Sequence, residues 1–374
     1  MSKAAELAKI GEAVTSGQIG GRRNLAYNGA MLVSQRSTSV TGIGAASGFF
    51  TLDRFNIAVA NTAGRLTMAQ VAITDLPGFT KCLKLSCTTA DASIAAGELL
   101  MLHQMLEGQD LQQLKKGTSD AEKVTVSFYV KANAAATYTF ELADHDSTRK
   151  NSIEFSVTTG WTRVILTFDG DTTDAIDNDN TVGLQMFLWL HAGSTYTGGS
   201  HTDNVWHTTV NQTVGDNNTS FFDATSRTLF ITGFQVEVGS QATPFENRSF
   251  GEELALCQRY FTKEAAASGA NYKSYAMGQA ATTTVARCSV FLPTSMRSTP
   301  TLVLSGNVNT FAGNSAGGSD ACTAIALSGD GDAGTDNVSV SLNVTVGSGY
   351  VAGDAVELLS NNNTSTHFAF DAEI

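Results

Sequence analysis

Short segments in which every second residue is apolar recur through the middle of the chain. They place aliphatic and aromatic residues on one face and polar residues on the other, as a half-buried strand requires. The segments run through residues 124–130, 138–142, 153–157, 164–168 and 184–190. Because glycine, asparagine and aspartate separate them, the pattern predicts several short strands joined by turns, which is typical of a β-sandwich.

The segment Leu229–Phe261 predicts the end of that sandwich. The apolar residues of its strand share one face, and they are Phe230, Phe234, Val236 and Val238. The intervening Gln235 and Glu237 point to the other face. Gly239 and Pro244 then end the strand, and a short amphipathic helix is predicted to follow.

Two words in this segment, FQVEVGSQATPFE and RSFGEELALCQRYF, resemble the closing strand and exit of a jelly-roll module. The module is similar to carbohydrate-binding modules and recurs in tail-fibre-like structural proteins of tailed phages, especially marine ones. The words NLAYNGAMLVSQR and FFTLDRF resemble the start of the same family. The resemblance implies a jelly roll over residues 24–250, with Trp161 packed at the edge of the sandwich, in a virion part rather than an enzyme.

One segment, ELLMLHQMLEGQDLQQL, gives two conflicting indications. The apolar positions that favour a helix are Leu99, Leu102, Met105 and Leu106. Their helical period covers barely two turns. The family resemblance instead implies a strand at Glu98–Leu106, followed by a short turn of helix at Asp110–Leu114. We predict the strand.

Composition limits the classes of partner. The 374 residues carry a formal net charge of −12, which argues against nucleic acid because phosphate binding needs a basic surface. Only 16% of the residues are charged, and the many glycines and hydroxyl side chains are typical of extracellular β-proteins and fibres. The five scattered cysteines are expected to be buried free thiols in a protein made in a reducing cytosol. Neither a signal peptide nor a membrane insertion is expected.

The N-terminal residues 1–23 are predicted to form a helix with one narrow apolar stripe, made by Leu7, Ile10 and Val14. Such a short helix is marginal alone in water, so it needs a partner. We predict that it docks onto other virion proteins, or onto copies of itself in a homotrimer. The alternative is that the stripe packs on the sandwich of its own chain.

A short linker helix is predicted at residues 251–263, and a last β-domain at residues 264–374. The words VARCSVFLP, MRSTPTLVL and NVSVSLNVTV indicate its strands. The predicted fold class is therefore all-β, with a jelly-roll β-sandwich followed by a second, smaller β-sandwich domain. A short N-terminal anchoring helix and the linker helix complete the chain.

Catalytic and metal-binding signals are weak. No GxSxG, HExxH or P-loop motif is present, and no catalytic residue is predicted. Asp144 and Asp146 form a carboxylate pair of the kind a glycosidase uses, although the spacing is equally typical of a polar turn.

The acidic run at residues 169–180 offers oxygen ligands for Ca²⁺, with a solvated turn as the simpler interpretation. Weaker metal candidates are Asp330, Asp332 and Asp336, and the pair His201 and His207. We predict no cofactor and no metal site.

Sugar binding requires flat aromatic rings surrounded by amide and carboxylate groups. The loop HAGSTYTGGSHTDNVWH has this composition, and its Tyr196 and Trp206 are the predicted glycan-binding residues. The alternative is that both rings pack within the protein or against a neighbouring subunit. Trp189 alternates out of phase with Leu188 and Leu190, so we predict that it faces away from their side of the sheet.

These observations predict a non-enzymatic phage virion protein that is assembled in the host cytoplasm. The favoured interpretation is a tail fibre or similar adhesion protein, attached by its N-terminus and presenting β-domains to host surface glycan. One alternative is a purely structural capsid decoration, head fibre or tail adaptor protein. Another is an enzyme that trims surface glycan.

Overall fold

The computed structural model divides into two compact units, and the boundary in the sequence falls between Glu253 and Leu254. The described residues are 3, 22–266, 271–328 and 338–374. Strands dominate both units, which confirms the all-β class. Within these ranges, every helix is too short or too polar to cross a lipid bilayer. The predicted docking residues Leu7, Ile10 and Val14 lie outside the described residues.

The first unit is a sandwich of two antiparallel six-stranded sheets, as the jelly-roll prediction requires. Its strands are β1 (Ser39–Ile43), β2 (Gly48–Phe49), β3 (Asn56–Ala60), β4 (Arg65–Ala72), β5 (Lys81–Thr89), β6 (Leu99–Glu107), β7 (Val124–Ala132), β8 (Ala136–Asp144), β9 (Lys150–Val157), β10 (Thr162–Phe168), β11 (Val182–Ala192) and β12 (Thr228–Val238). Sheet A has the order β1-β4-β5-β12-β7-β10, and sheet B has the order β2-β3-β6-β11-β8-β9. A one-turn helix, α1 (Ser194–Thr197), follows β11, and 3₁₀ turns occur at Gly108–Asp110, Gln112–Leu114 and Val210–Gln212.

The core of the sandwich lies between the sheets and is built from aromatic rings. The ring centroid of Phe128 in sheet A lies 5.9 Å from that of Phe140 in sheet B and 6.1 Å from that of Phe234. Each of these side chains is at least nine-tenths buried, and each occupies an apolar position of an alternating segment. Burial of such rings is the main source of stability in a sandwich of this kind.

The segment ELLMLHQMLEGQDLQQL, which gave conflicting indications, contains the strand β6, as the family resemblance implies. β6 pairs with β3 on one side and with β11 on the other, and 3₁₀ turns follow it at Gly108–Asp110 and Gln112–Leu114. Both faces of β6 are largely buried. A strand that is apolar on both faces has no clear period of two. Its apolar residues can therefore match the spacing of a short helix by chance.

The prediction for Phe230 is wrong. The pairing of β12 with β7 shifts between Thr232 and Gln235, and Gly233 at the shift has a φ of +63°. One extra residue in a bulge exchanges the two faces of a strand. Leu229 and Ile231 therefore point into the core before the bulge, whereas Phe234 and Val236 do so after it. The ring of Phe230 lies outside, between Lys84 and Lys131.

The second unit combines a three-stranded sheet with a closed barrel. Its elements, with the helix that contains the boundary, are α2 (Phe250–Gln258), β13 (Phe261–Ala265), β14 (Ser274–Ala280), β15 (Val285–Phe291), β16 (Thr301–Leu304), β17 (Phe311–Ser315), β18 (Gly318–Leu327), β19 (Ser339–Val346), β20 (Ala355–Ser360) and β21 (His367–Asp371). The sheet has the order β13-β21-β16, and the barrel has the order β14-β15-β19-β18-β17-β20.

Two details of the second unit differ from expectation. The strands form a barrel instead of the predicted smaller sandwich, because β14 pairs with β20 as well as with β15 and so closes the sheet. Helix α2 ends at Gln258 instead of continuing to residue 263, since Phe261–Ala265 joins the sheet through β21. The apolar faces of the two architectures alternate in the same way, so alternation alone does not separate them.

All five cysteines are free and buried, as predicted: Cys82, Cys87, Cys257, Cys288 and Cys322. Burial raises the pKa of Cys82 to about 12 and that of Cys288 to about 11. At neutral pH these thiols are therefore protonated and poor nucleophiles.

Candidate functional site

The outward face of sheet B carries three side chains of β11 that alternate with its core residues. Gln185, Phe187 and Trp189 point outward, whereas Leu184, Met186 and Leu188 point into the core. Strand register then places Phe187 between His103 on β6 and Glu141 on β8. It places Trp189 between Met101 and Thr139 in the same way. The outward position of Trp189 agrees with the sequence analysis.

These residues form the floor of a groove with a volume of about 360 Å³. Its lining residues are Leu99, Met101, Glu141, Ala143, Asp144, His145, Thr148, Lys150, Gln185, Phe187, Trp189 and Tyr196. Apart from Ala143 on β8, the aromatic and aliphatic members come from β6, β11 and α1, and the polar members come mainly from β8, β9 and the turn between them. The groove therefore has an apolar side and a polar side, an arrangement typical of ligand sites.

Tyr196 forms one end of the groove by packing on Trp189. Their ring centroids are 5.0 Å apart, and the fully buried Val214 lies in the same apolar cluster. Gly193 begins the turn that brings Tyr196 there, because a Cβ at this position would lie 2.0 Å from the carbonyl oxygen of Ala95. A residue with any side chain would push the turn away from the backbone of Ala95 and Ala96.

Glu141 is a buried carboxyl beneath the groove. Trp189 Nε1 donates a hydrogen bond to Glu141 Oε2 at 2.6 Å, which fixes the orientation of the indole ring. Burial raises the pKa of Glu141, and the charge of Lys150 and the indole hydrogen bond oppose that rise. Desolvation is the largest of these effects, because burial penalises the charged form.

Lys150 is the cation of the groove. It lies at the start of β9, opposite Ala143 on β8, and is partly exposed. The nearby Asp144 does not bind Lys150. Its carboxylate pairs with the buried Lys116 and accepts hydrogen bonds from the backbone of Asp146 and the hydroxyl of Ser147. Within the described part of the chain, Lys150 forms no ion pair.

The two glycan-binding candidates from the sequence lie in different places. Tyr196 lines the groove, whereas Trp206 lines a separate cavity of about 20 Å³. Trp206 Nε1 donates to the backbone oxygen of Asp169 at 2.7 Å, and Lys116 Nζ lies 5.6 Å from its ring centroid. These contacts give Trp206 a packing role against the acidic run. A sugar-binding role for either residue stays a prediction.

The acidic run is organised by protein cations. Arg149 binds both carboxylate oxygens of Asp171, at 2.7 Å and 3.0 Å, and Lys116 Nζ lies 3.1 Å from the same carboxylate. Burial alone would raise the pKa of Asp171, but these hydrogen bonds and the backbone of Thr173 lower it. Lys116 also donates to the backbone oxygen of Asp174 at 2.8 Å. The ammonium group of Lys116 thus contacts oxygens of the acidic run that were candidate ligands for Ca²⁺.

The other metal and catalytic candidates have ordinary surroundings. His201 contacts the carbonyl oxygen of Gln212 and the carboxylate of Asp203, both at 2.9 Å. Asp144 and Asp146 form a polar turn through the hydrogen bond between them. In residues 22–266, 271–328 and 338–374, no three histidine, cysteine or acidic side chains are grouped to hold a metal. The cluster at Asp330, Asp332 and Asp336 lies outside the described residues.

Sequence reasoning missed most side chains of the groove, among them Gln185, Phe187, Lys150 and Glu141. A signal for two of them was present, because Gln185 and Phe187 alternate with the apolar series that defines β11. An aromatic series on the polar phase of a strand is unusual, since this phase normally faces water. No local signal marks Glu141 or Lys150.

Neither a family model nor a curated protein matches this chain. Matching solved structures include a CBM4 module at 11% identity, covering 56% of this chain and 97% of the module, with a TM-score of 0.29. Another is TmCBM61 in complex with β-1,4-galactotriose, at 10% identity over 58% of this chain and 99% of that one, with a TM-score of 0.29. The enzymatically active domain of bacteriophage CBA120 tailspike protein 4 matches at 10% identity over 57% of this chain and 21% of its own length, with a TM-score of 0.27. Matches this weak carry no argument about function.

Proposed function

We propose that this chain is a non-enzymatic adhesion protein of a phage particle, and that the groove on sheet B binds a glycan of the host surface. The observation that carries the proposal is the groove itself, in which the partly exposed Phe187 and the edge of Tyr196 face polar groups of β8, β9 and their turn. Its volume of about 360 Å³ lies in the range of ~300–1,000 Å³ typical of ligand pockets.

The geometry suits a sugar ring. A pyranose has an apolar face formed by its C–H groups, and this face would lie on Phe187 with Tyr196 beside it. The hydroxyl groups around the ring would reach the amide of Gln185, the hydroxyl of Thr148 and the imidazole of His145, which all line the groove. Glu141 supports the floor from below through Trp189.

The carboxyl groups of the groove support a binding role rather than hydrolysis. Glycosidases use one acid and one base or nucleophile that both reach the scissile bond. Here Asp144 is held by Lys116 and Ser147, and Glu141 is buried with its oxygen bonded to Trp189. Both groups are occupied by the protein.

The place in the particle is also part of the proposal. The resemblance of FQVEVGSQATPFE and RSFGEELALCQRYF to tail-fibre-like proteins supports a virion location. In this proposal, residues 1–23 dock the chain onto the virion as a homotrimer, and the two β-units extend toward the host.

A glycan array followed by calorimetry with the full chain tests the proposed function. Phe187→Ala should weaken binding of any glycan found by about 10- to 100-fold, since it removes the apolar surface under the ring. Trp161→Ala is the matched control, because Trp161 is a partly exposed aromatic residue just before β10 of sheet A, with Lys131 over its ring. The control should bind normally. A folded wild-type chain that binds no glycan of the host surface would favour the purely structural role.

A further inference from the structure

We infer that the groove selects an acidic sugar, and that Lys150 binds the carboxylate or sulfate group of the ligand. The inference rests on the proposed function, because it concerns the ligand of the same groove. It adds a chemical class that neither the fold nor the aromatic floor defines. Three observations carry it: Lys150 forms no ion pair with a described residue, the two acids of the groove bind other groups of the protein, and Lys150 lies within reach of a ligand on Phe187.

The first observation is that Lys150 lines the groove and forms no ion pair with a described residue, whereas the other such lysines of residues 22–253, Lys81 and Lys84, lie on β5 of sheet A. Lys115, Lys116, Lys123 and Lys131 each form an ion pair with an aspartate or glutamate. Lys150 forms none with any described residue, although the chain as a whole carries a net charge of −12. A cation left unpaired by such an acidic protein, and set in a groove, is available to an anion from outside.

The second observation concerns the acids of the groove. Asp144 has its charge matched by Lys116, which lies beneath it and is itself 5% exposed at its side chain. Glu141 is buried, and its Oε2 accepts a hydrogen bond from the indole of Trp189. Both acids of the groove therefore bind other groups of the protein, and neither forms an ion pair with Lys150.

The third observation is the position of Lys150 on the sheet. Phe187 on β11 faces Glu141 on β8, Glu141 faces Ser152 on β9, and Lys150 lies two residues before Ser152. With strands about 4.8 Å apart and a rise of about 3.3 Å per residue, the two Cα atoms are separated by roughly 12 Å. An extended lysine side chain and a sugar ring with an exocyclic acid group together span that distance.

The experiment compares acidic and neutral ligands of equal length on the full chain. Suitable probes are trigalacturonate against galactotriose, and a sulfated oligosaccharide against its desulfated form. The wild type should bind an acidic member of a pair about tenfold more tightly, as expected for one charge-assisted hydrogen bond. This preference should shrink between about 50 mM and about 300 mM NaCl, because salt screens an exposed charge.

Three variants identify the residue. Lys150→Gln should reduce binding of the acidic ligand about tenfold and leave neutral binding unchanged, whereas Lys150→Arg should keep most of the preference because it keeps the charge. Lys84→Gln is the matched control, since Lys84 also forms no ion pair with a described residue but lies on sheet A over Phe230. It should behave as the wild type. Near-ultraviolet circular dichroism and thermal melting confirm that each variant is folded.

The outcomes separate the inference from the proposed function. If the wild type binds no glycan at all, both are overturned. If it binds neutral glycans as tightly as acidic ones, or if Lys150→Gln has no effect while Phe187→Ala abolishes binding, the groove is a glycan site and only the acidic selectivity is wrong. Loss of acidic binding in the Lys84→Gln control would also overturn the role of Lys150.

Discussion

The two outward faces of the jelly roll carry similar side chains in different arrangements. On sheet A, Lys131 Nζ lies 4.8 Å from the ring centroid of Trp161 and 5.0 Å from that of Phe230, and Lys84 covers Phe230 from the other side at 5.3 Å. On sheet B, Phe187 has an imidazole beside it, and Lys150 lies away from the aromatic side of the groove.

The two faces differ in whether their lysines already contact the aromatic rings, not in which residue types they carry. The cations of sheet A are placed on the aromatic rings of the same face, and Lys131 also pairs with Asp75, so little binding capacity remains there. In sheet B, β8 lies between Phe187 on β11 and Lys150 on β9, so the lysine does not cover the aromatic ring. The rings of Trp161 and Phe230 are therefore covered by lysines, whereas Phe187 is left partly exposed on sheet B.

The largest expected effect is a loss of stability, and it distinguishes Trp189 on sheet B from Trp161 beside sheet A. Trp189→Ala should lower the free energy of unfolding by about 3–5 kcal/mol, because it opens a cavity beside Met101 and Val214 and removes the partner of Glu141. Trp161→Ala should cost about 2 kcal/mol or less, chiefly the lost contact with Lys131. Chemical denaturation measures both. Equal losses would show that the two faces are packed alike.

The next effect is a pH dependence of the groove floor. Burial lowers the pKa of His103, whose ring lies 5.1 Å from Phe187, to about 4. A base with a lowered pKa contributes stability that is present above its unfolded pKa near 6.5 and is lost as pH falls toward 4. The wild type should lose about 3 kcal/mol across that window.

The control for this prediction is His103→Gln, which has no group titrating there. Denaturation curves of the two proteins at several pH values give the difference. Parallel pH profiles for wild type and variant would mean that His103 is not buried in its neutral form.

A smaller effect is expected from Glu141→Gln. Burial raises the pKa of Glu141, so its neutral form stabilises the fold below the unfolded value of 4.5, and that contribution is lost as pH rises through the folded pKa. Gln keeps an acceptor for Trp189 and cannot ionise. The variant should therefore lose less stability than the wild type as pH rises above 4.5. A wild type that gains stability relative to the variant would reverse the assignment.

The smallest effect belongs to sheet A. Lys131→Met removes the cation from Trp161 and Phe230 and breaks an ion pair with the exposed Asp75. We expect a loss of about 1 kcal/mol or less, since exposed pairs contribute little. Glycan binding should not change. A change in binding would mean that sheet A contributes to the ligand site.

Sequence alone predicted the inward side of the jelly roll well. Phe128, Phe140 and Phe234 are core residues because alternation reports which side of a strand is buried, and β6 could be assigned by resemblance where alternation failed. Phe230 was misplaced because a bulge at Gly233 reverses the phase, and a single glycine is only a weak sign of a bulge.

The groove was harder to predict for a different reason. One wall comes from α1, which directly follows β11, but the other comes from the turn after Asp144, which lies far earlier in the sequence than the floor residue Phe187. Nothing local shows that Glu141 meets the indole of Trp189, or that Lys150 is left unpaired. Tyr196 was found through composition, and the same reasoning selected Trp206, which lies elsewhere.

The closed ring of strands in the second unit has a consequence for crowding. Every strand of the barrel has a neighbour on both sides, from β14 around to β20. Such a ring offers no free row of backbone donors and acceptors to a strand of another molecule, which is the usual route to edge-to-edge aggregation. Neighbouring copies of the chain at high concentration therefore keep their barrels separate without charged residues along an exposed edge.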